Sequence, residues 1–174
     1  ALDLCTGSGC LAILMAHVFP QAQIDAIDLS SAALCVAQRN IADYALQGRV
    51  EAVESDLFAA VAGKRYDLIL SNPPYVTAAA MDALPAEYRH EPALALAAGH
   101  DGLDVVRRIL AEAANHLNPG GFIVIEVGHN RDLVEAAFPD LSAVWLDTTS
   151  SSEKVFLVNY DSLREYASTH AATD

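Results

Sequence analysis

The sequence predicts an α/β protein with a doubly wound, mainly parallel seven-stranded sheet and an antiparallel hairpin at the sheet edge. Along the 174 residues, short apolar runs alternate with segments of helical period, the pattern of a parallel sheet covered by helices on both faces. The last two apolar runs leave no room for a crossover helix between Trp145 and Lys154, which predicts the hairpin. Hydrophobic residues make up 53% of the chain, enough for a sizeable core.

Seven apolar runs have the length of strands. They are Ala1 to Leu4, Ile24 to Asp28, Val50 to Glu54, Tyr66 to Ser71, Phe122 to Val127, Ala143 to Leu146 and Val155 to Asn159. Four segments between them repeat apolar residues every three or four positions, as helices do. They run from about Cys10 to Val18, Ser31 to Tyr44, Gly102 to Leu117 and Asp132 to Phe138.

Local signals support individual elements. A glycine turn directly after Leu4 indicates the end of a buried strand, and Ser30 can cap the second helix. In the third helix, Asp101 offers an N-cap and the run 118–121 (NPGG) stops the helix. Its apolar face consists of Leu103, Val106, Leu110, Ala113 and Leu117.

The chain is predicted to form one domain over residues 1–161, followed by a small, polar and flexible tail over residues 162–174. A whole protein seldom begins in the middle of a strand. We therefore expect the chain to be a fragment whose upstream part would complete the first strand.

The charge balance bears on the class of partner. The chain has 10 basic and 23 acidic residues, a formal net charge of -13. This opposes broad binding to a phosphate backbone, which needs clustered Lys and Arg, and suits a basic protein partner. The three cysteines lack paired metal-ligand spacing and are too few for a disulfide scaffold, and no signal peptide is evident. We expect a cytoplasmic protein without a metal site.

A glycine-rich turn joins the first strand to the first helix. Gly7 and Gly9 let the backbone turn tightly and let a ligand lie against it. Asp28 ends the second strand, where dinucleotide folds place the acid that binds ribose. Two classes fit this pattern: nicotinamide-dependent oxidoreductases, and methyltransferases that bind S-adenosylmethionine.

Two further acids favour the methyl donor. Asp3 would repel a pyrophosphate but attract a cationic sulfonium with its amino group. Asp56 follows the third strand and can accept from an adenine amino group while Leu57 or Phe58 packs on the ring. A simple turn-capping role for Asp56 is equally open.

The strongest chemical signal is Asn72-Pro73-Pro74-Tyr75, directly after the fourth strand. A planar amide or exocyclic amine is a poor nucleophile, so a site that methylates it must orient the nitrogen and stabilise developing positive charge. The Asn72 side-chain carbonyl and the Pro73 backbone carbonyl can each accept one N–H, and the prolines fix their direction. Tyr75 can stack on the planar group.

Residues 3–9 (DLCTGSG) and 72–75 (NPPY) together resemble the class I S-adenosylmethionine-dependent methyltransferases that modify amino nitrogens. Adenine N6 DNA methyltransferases and protein glutamine N5-methyltransferases share these motifs. Residues 84–92 (LPAEYRHEP) and 96–103 (LAAGHDGL) resemble the glutamine enzymes, most closely the branch that methylates ribosomal large-subunit protein uL3. The resemblance runs from Ala1 to about Asn159 and implies a Rossmann-like methyltransferase sheet. It also implies an N-terminal helical substrate domain, which we expect this chain to lack.

The resemblance also implies a role for each residue of the cofactor site. Asp3, Gly7 and Gly9 would line the methionine end of S-adenosylmethionine. Asp28 would take the ribose hydroxyls, and Asp56 with Leu57 would take the adenine. S-adenosylhomocysteine would be the product.

For the acceptor, the resemblance implies that Asn72, Pro73 and Tyr75 act on the substrate amide. Asn72 would also border the cofactor, and Pro74 would contact the substrate. Arg89 and His90 lie in a long connection that we interpret as a wall on the substrate side, although a surface-loop role is at least as well supported for both.

Other functions stay open at this point. Within the same class they are glutamine methylation of peptide chain release factors and adenine methylation of DNA, the latter disfavoured because the chain has no basic face. From different classes they are a nicotinamide-dependent oxidoreductase and a non-catalytic nucleotide-binding fragment.

Overall fold

The computed structural model describes residues 1–75, 101–147 and 153–170. Its strands are β1 (Leu2–Leu4), β2 (Ile24–Asp28), β3 (Val50–Glu54), β4 (Tyr66–Ser71), β5 (Leu117–Glu126), β6 (Val144–Leu146) and β7 (Val155–Asn159). They form one seven-stranded sheet in the order β3-β2-β1-β4-β5-β7-β6. Strands β1 to β5 pair in parallel, and β7 pairs antiparallel with both β5 and β6. The predicted fold class and edge hairpin are confirmed.

Helices cover both faces of this sheet. Within the described residues they are α1 (Cys10–Val18), α2 (Ser31–Asp43), α3 (Asp104–Ala113), α4 (Arg131–Ala137) and α5 (Tyr160–His170), and a short 3-10 helix spans Ala59–Val61. One core cluster joins α1 and α2 to the sheet, and a larger one joins α3, α4 and α5 to it. The predicted cap is confirmed, because the Ser30 hydroxyl accepts from the Ala33 N–H at 3.2 Å. Among the described helices, none is long and apolar enough to cross a membrane.

The prediction for the third helix was too long at both ends. Gly102 has a φ of +79°, which a right-handed helix cannot contain, so α3 begins only at Asp104. Asp101 accepts from the Leu103 N–H at 3.0 Å, but it lies outside the cap position. The run NPGG does not stop the helix. It belongs to β5, opposite an irregularity in the pairing between Tyr66 and Leu68.

The predicted flexible tail is also wrong for residues 162–170. These residues belong to α5, in which Leu163 is only 1% exposed and packs into the larger core cluster. The Tyr166 ring lies edge-on to Phe138, with ring centroids 6.2 Å apart. Two apolar side chains on one face therefore dock a helix whose overall composition is polar.

The strand order creates a switch point between the central strands β1 and β4, at the edge formed by the carboxyl ends of the parallel strands. From β1 the chain moves outward to β2 and β3, and then returns to β4 on the other side of β1. In open α/β sheets, ligands bind outside the carboxyl ends of the strands at such a point. Leu4 pairs with Ser71, and the Ser71 hydroxyl donates to the Leu4 carbonyl at 2.7 Å. The ends of β1 and β4 are thus joined where a ligand is expected.

Candidate functional site

The loop after β1 is folded by left-handed residues. Cys5, Gly7 and Gly9 have φ values of +65°, +55° and +81°. A Cβ at Gly9 would lie 3.2 Å from the Ala37 Cβ, so this glycine lets α2 pack closely. At Gly7, a Cβ would meet no described atom within 4 Å. The loop therefore presents open backbone at Gly7, as a ligand that lies against it requires.

Asp28 holds this loop. Its Oδ2 accepts from the Gly7 N–H and its Oδ1 from the Ser30 N–H, both at 2.8 Å. A second tie comes from α2, where the Asn40 Nδ2 donates to the Ser8 carbonyl at 2.8 Å. Each carboxylate oxygen of Asp28 has a further lone pair. The residue can therefore fix the loop and still accept hydrogen bonds from a bound ligand.

Asp3 is fully buried, and its carboxylate is only half satisfied. The Oδ2 accepts from the Thr6 hydroxyl at 2.5 Å and from the Ala12 N–H at 2.9 Å. The Oδ1 has no hydrogen-bond partner in the part of the chain that the structure describes. Burial raises the pKa of Asp3 to about 6. A buried carboxylate oxygen without a donor is costly, so this site fits a ligand that brings a cationic N–H group.

Asp56 lies on the far side of β2, after β3. Its Oδ2 accepts from the Arg108 guanidinium at 2.8 Å, and both side chains are about half exposed (51%). Phe58 is buried and stacks on the His116 ring with centroids 4.4 Å apart, so its ring is not available to an adenine. Leu57 is 7% exposed and has a left-handed φ of +48°, a strained conformation that often marks functional sites.

The segment Asn72–Tyr75, which we term the acceptor loop, begins where β4 ends. Asn72 is exposed, Pro73 is buried, and Pro74 and Tyr75 are partly buried. The Tyr75 carbonyl accepts from the Asn130 Nδ2 at 3.1 Å. Burial and, after it, the nearby Glu126 carboxylate raise the pKa of the Tyr75 phenol. The phenol is therefore protonated and neutral at physiological pH.

The strand pairings bring most of the predicted site residues to one edge of the sheet. The carboxyl ends of β3, β2, β1 and β4 are adjacent there, and they carry or directly precede Asp56, Asp28, the glycine turn and Asn72. Arg89 and His90 lie outside the described residues. Among the described residues, no cluster of three or more potential metal ligands occurs.

Several contacts at this edge escaped the sequence prediction. Arg108 pairs with Asp56 across 52 positions, a contact that no local sequence pattern indicates. Asn130 and Gly128 received no role, yet both contact Tyr75. The available signal is Glu126, which ends β5 beside β4, because the carboxyl ends of strands in such sheets lie close to ligands. The turn that follows Glu126 carries Gly128 and Asn130.

Comparison with known proteins gives a consistent family result. The model of the family described as "Methyltransferase small domain" matches residues 1–87. The "Ribosomal protein uL3 glutamine methyltransferase" of Bordetella pertussis is 59% identical over 163 residues, which is 94% of this chain and 55% of that protein. The protein of the same name from Neisseria gonorrhoeae is 56% identical over 94% of this chain and 54% of its own length. The chain thus spans about half the length of the curated relatives it matches.

Solved structures share the fold at low sequence identity. A methyltransferase from Pyrococcus furiosus superposes with a TM-score of 0.67 at 21% identity, covering 91% of this chain and 73% of that one. TrmK of M. capricolum, solved with its cofactor product S-adenosyl-homocysteine, gives a TM-score of 0.60 at 12% identity over 92% and 61% of the two chains. These similarities support the observed sheet order and helix layers.

Proposed function

Because this chain belongs to the methyltransferase small-domain family, we propose that it transfers a methyl group from S-adenosylmethionine to the side-chain amide nitrogen of a glutamine in ribosomal large-subunit protein uL3. The names of the relatives at 59% and 56% identity support this choice of substrate. One observation carries the proposal. The switch point combines a buried carboxylate with one unsatisfied oxygen, Asp3, and the motif that begins at Asn72, whose carbonyls can accept from an amide.

The cofactor side needs groups that match a sulfonium with its amino, ribose and adenine parts. We assign the amino group to Asp3, whose Oδ1 lacks a donor among the described residues. We assign the ribose hydroxyls to Asp28 and the adenine to Asp56 with Leu57, while Gly7 and Gly9 give the backbone close approach. The bound cofactor supplies the electrophilic methyl group. Asp3 and Asp56 favour this cofactor over one with a pyrophosphate, which argues against the nicotinamide alternative.

The acceptor side must make a planar amide act as a nucleophile. The side-chain carbonyl of Asn72 and the backbone carbonyl of Pro73 would each accept one N–H of the glutamine amide. Their partial negative charges would stabilise the positive charge that develops on the nitrogen as it attacks. Tyr75 would flank the amide plane, and Pro74 keeps the segment stiff. Arg89 and His90 remain proposed members of the substrate wall.

The charge balance also supports the proposed substrate class. With a net charge of -13, the chain favours a basic partner such as a ribosomal protein and disfavours direct contact with nucleic acid. Such a substrate would be met in the cytoplasm.

The test offers labelled S-adenosylmethionine and three separate acceptors: uL3, a peptide chain release factor, and adenine-containing DNA. We expect label in uL3 alone, on one glutamine that peptide mapping identifies. The matched control is the Asn72→Ala protein, which should bind the cofactor but transfer label about 100- to 1000-fold more slowly. Label in the release factor would show that the release factor, and not uL3, is the substrate. Label only in DNA would overturn the proposal of a protein substrate.

A further inference from the structure

The acceptor loop is anchored at both ends. At its start, the Ser71 hydroxyl joins β4 to β1 through the Leu4 carbonyl at 2.7 Å. At its end, the Tyr75 carbonyl accepts from the Asn130 Nδ2 at 3.1 Å, although the two residues are 55 positions apart. Asn130 directly precedes α4 but makes no side-chain capping bond to that helix. Its amide is therefore used on the acceptor loop and not on its own helix.

Two glycines make room for the same tyrosine. A Cβ at Gly102 would lie 2.5 Å from the Tyr75 carbonyl oxygen and 3.4 Å from the Asn130 Nδ2. A Cβ at Gly128 would lie 2.6 Å from the Cε2 of the Tyr75 ring. Real Cβ atoms do not approach backbone or ring atoms so closely. The backbone before α3 and the turn after β5 thus close around Tyr75 from two directions.

The ring of Tyr75 is restrained as well. Its phenol faces Glu126, the last residue of β5, while its edge lies against Gly128. The carbonyl and the ring are therefore both in contact with parts of the chain that lie outside β4 and its loop, and the Glu126 carboxylate lies near the phenol. Contacts of this kind define an orientation, because a single contact would leave the ring free to rotate.

We propose that Asn130 is a positioning residue for the acceptor loop and that it acts on the methyl acceptor through Tyr75. This inference rests on the proposed function. Pro73 and Pro74 have φ fixed near about -65° by their rings, so few backbone torsions separate Asn72 from the anchored Tyr75 carbonyl. Loss of the anchor lets the carbonyls of Asn72 and Pro73 move relative to the acceptor nitrogen. A misplacement of about 1 Å at a reacting centre costs up to about 100-fold in rate.

The experiment compares the same substitution at two asparagines. Asn130→Asp keeps the shape of the side chain but removes the N–H donor to Tyr75. Asn40→Asp removes the matching donor to Ser8 in the cofactor loop. For Asn130→Asp we expect kcat to fall about tenfold with the Kd for S-adenosylmethionine unchanged. For Asn40→Asp we expect weaker binding of S-adenosylmethionine, seen as a higher Kd. The KM for the acceptor should stay unchanged.

Two further measurements separate positioning from damage to the fold. Asn130→Gln restores an amide donor at a partly exposed position and should recover most of the rate. Hydrogen exchange of peptides that span residues 66–75 should be faster in Asn130→Asp than in the wild type, with an unchanged Tm. This readout does not require activity, so it still tests the anchor if no acceptor is methylated and the proposed function fails.

The inference is overturned if exchange in residues 66–75 is the same in Asn130→Asp and wild type. It is also overturned if exchange increases while kcat stays within about twofold. If kcat and the affinity for S-adenosylmethionine fall equally in both aspartate variants, the cause is the added negative charge. This result too would contradict a specific role for Asn130.

Discussion

The two halves of the candidate site are held together in different ways. On the cofactor side, Asp3 and Asp28 accept hydrogen bonds from the loop that directly follows β1, and Asn40 of α2 adds a third tie. On the acceptor side, Tyr75 is held by Gly128 and Asn130, which follow β5, and by Gly102, which precedes α3. The side-chain ties of the first region join residues at most 32 positions apart, whereas the hydrogen bond that anchors the second joins residues 55 positions apart.

This difference bears on how each half responds to change. The cofactor loop is closed by one βαβ unit and should form wherever that unit folds. The acceptor loop depends on the parallel pairing of β4 with β5, because that pairing brings Glu126 and the turn after it beside Tyr75. Damage to the second half of the sheet should therefore impair methyl transfer before it impairs cofactor binding.

The largest expected effect is that of Asn72→Ala on the acceptor side. Removal of the side-chain carbonyl takes away one of the two proposed N–H acceptors, so kcat should fall by about 100- to 1000-fold. The Kd for S-adenosylmethionine should change little. Single-turnover kinetics and isothermal titration measure the two quantities. A variant that keeps most of its rate would show that the orienting role is wrong.

Asp28→Ala is the corresponding change on the cofactor side. It removes the acceptor for the Gly7 and Ser30 N–H groups and the proposed partner of the ribose. We expect the cofactor Kd to rise about 10- to 100-fold, since each hydrogen bond to a charged group contributes about 1.5–3 kcal/mol. The acceptor KM, measured at saturating cofactor, should stay near the wild-type value. Unchanged cofactor affinity would reject the ribose assignment.

The sequence predicts the first half of the site better than the second, and the reason is physical. The bounds of β2, β3, β4 and α1 follow from local period, and the glycine turn with Asp28 is a local pattern. The contact between Asn130 and Tyr75 depends on sheet order, which no local pattern contains. The early start of β5 at Leu117 was missed because its first residues look like a helix stop, and α5 was missed because only Leu163 and Tyr166 mark its buried face.

Asp3→Asn should stabilise the fold and weaken cofactor binding. Burial raises the pKa of Asp3 above its unfolded value to about 6, so the folded state binds the proton more tightly and wild-type stability falls as pH rises from about 4 through 6. The variant has no charge to bury. At about pH 7 its free energy of unfolding should exceed that of the wild type by about 2–3 kcal/mol.

Urea denaturation at about pH 4 and pH 7 checks the sign, because the difference between the two proteins should nearly vanish at the lower pH. The cofactor Kd of Asp3→Asn should rise about tenfold, since an amide N–H cannot accept from the cofactor amino group. A stability difference that is the same at both pH values would show that burial of the Asp3 charge is not its cause.

A pair of glycine substitutions compares the two halves directly. Gly7 and Gly128 have nearly the same left-handed φ, +55° and +58°, so Ala costs each a similar backbone strain of about 1 kcal/mol. Only at Gly128 does the new methyl group overlap the Tyr75 ring. We expect Gly128→Ala to lose about 1–2 kcal/mol more stability and about tenfold in acceptor kcat/KM. Gly7→Ala should instead weaken cofactor binding. If both variants changed cofactor affinity and acceptor kcat/KM in the same way, the two halves of the site would not be distinct.

The smallest effect is expected where α3 contacts the adenine side. Arg108 forms an ion pair with Asp56, and both side chains are about half exposed. Arg108→Ala should therefore change the free energy of unfolding by less than about 1 kcal/mol. If Asp56 accepts from the adenine amino group, Arg108 competes for the same carboxylate. Its removal should then lower the cofactor Kd by about threefold, a gain of roughly 0.6 kcal/mol.

Arg107→Ala is the matched control for this change. Arg107 lies next to Arg108 on α3 but pairs with Asp101 and Asp104, and not with Asp56. Its loss removes the same charge without freeing the adenine-side carboxylate, so the cofactor Kd should not fall. Equal changes in both variants would point to general electrostatics, while a weaker Kd in Arg108→Ala alone would mean that Arg108 itself supports the cofactor. Measured at two salt concentrations, the pair separates a local competition from the field of a chain with a net charge of -13, because salt screens the second more strongly.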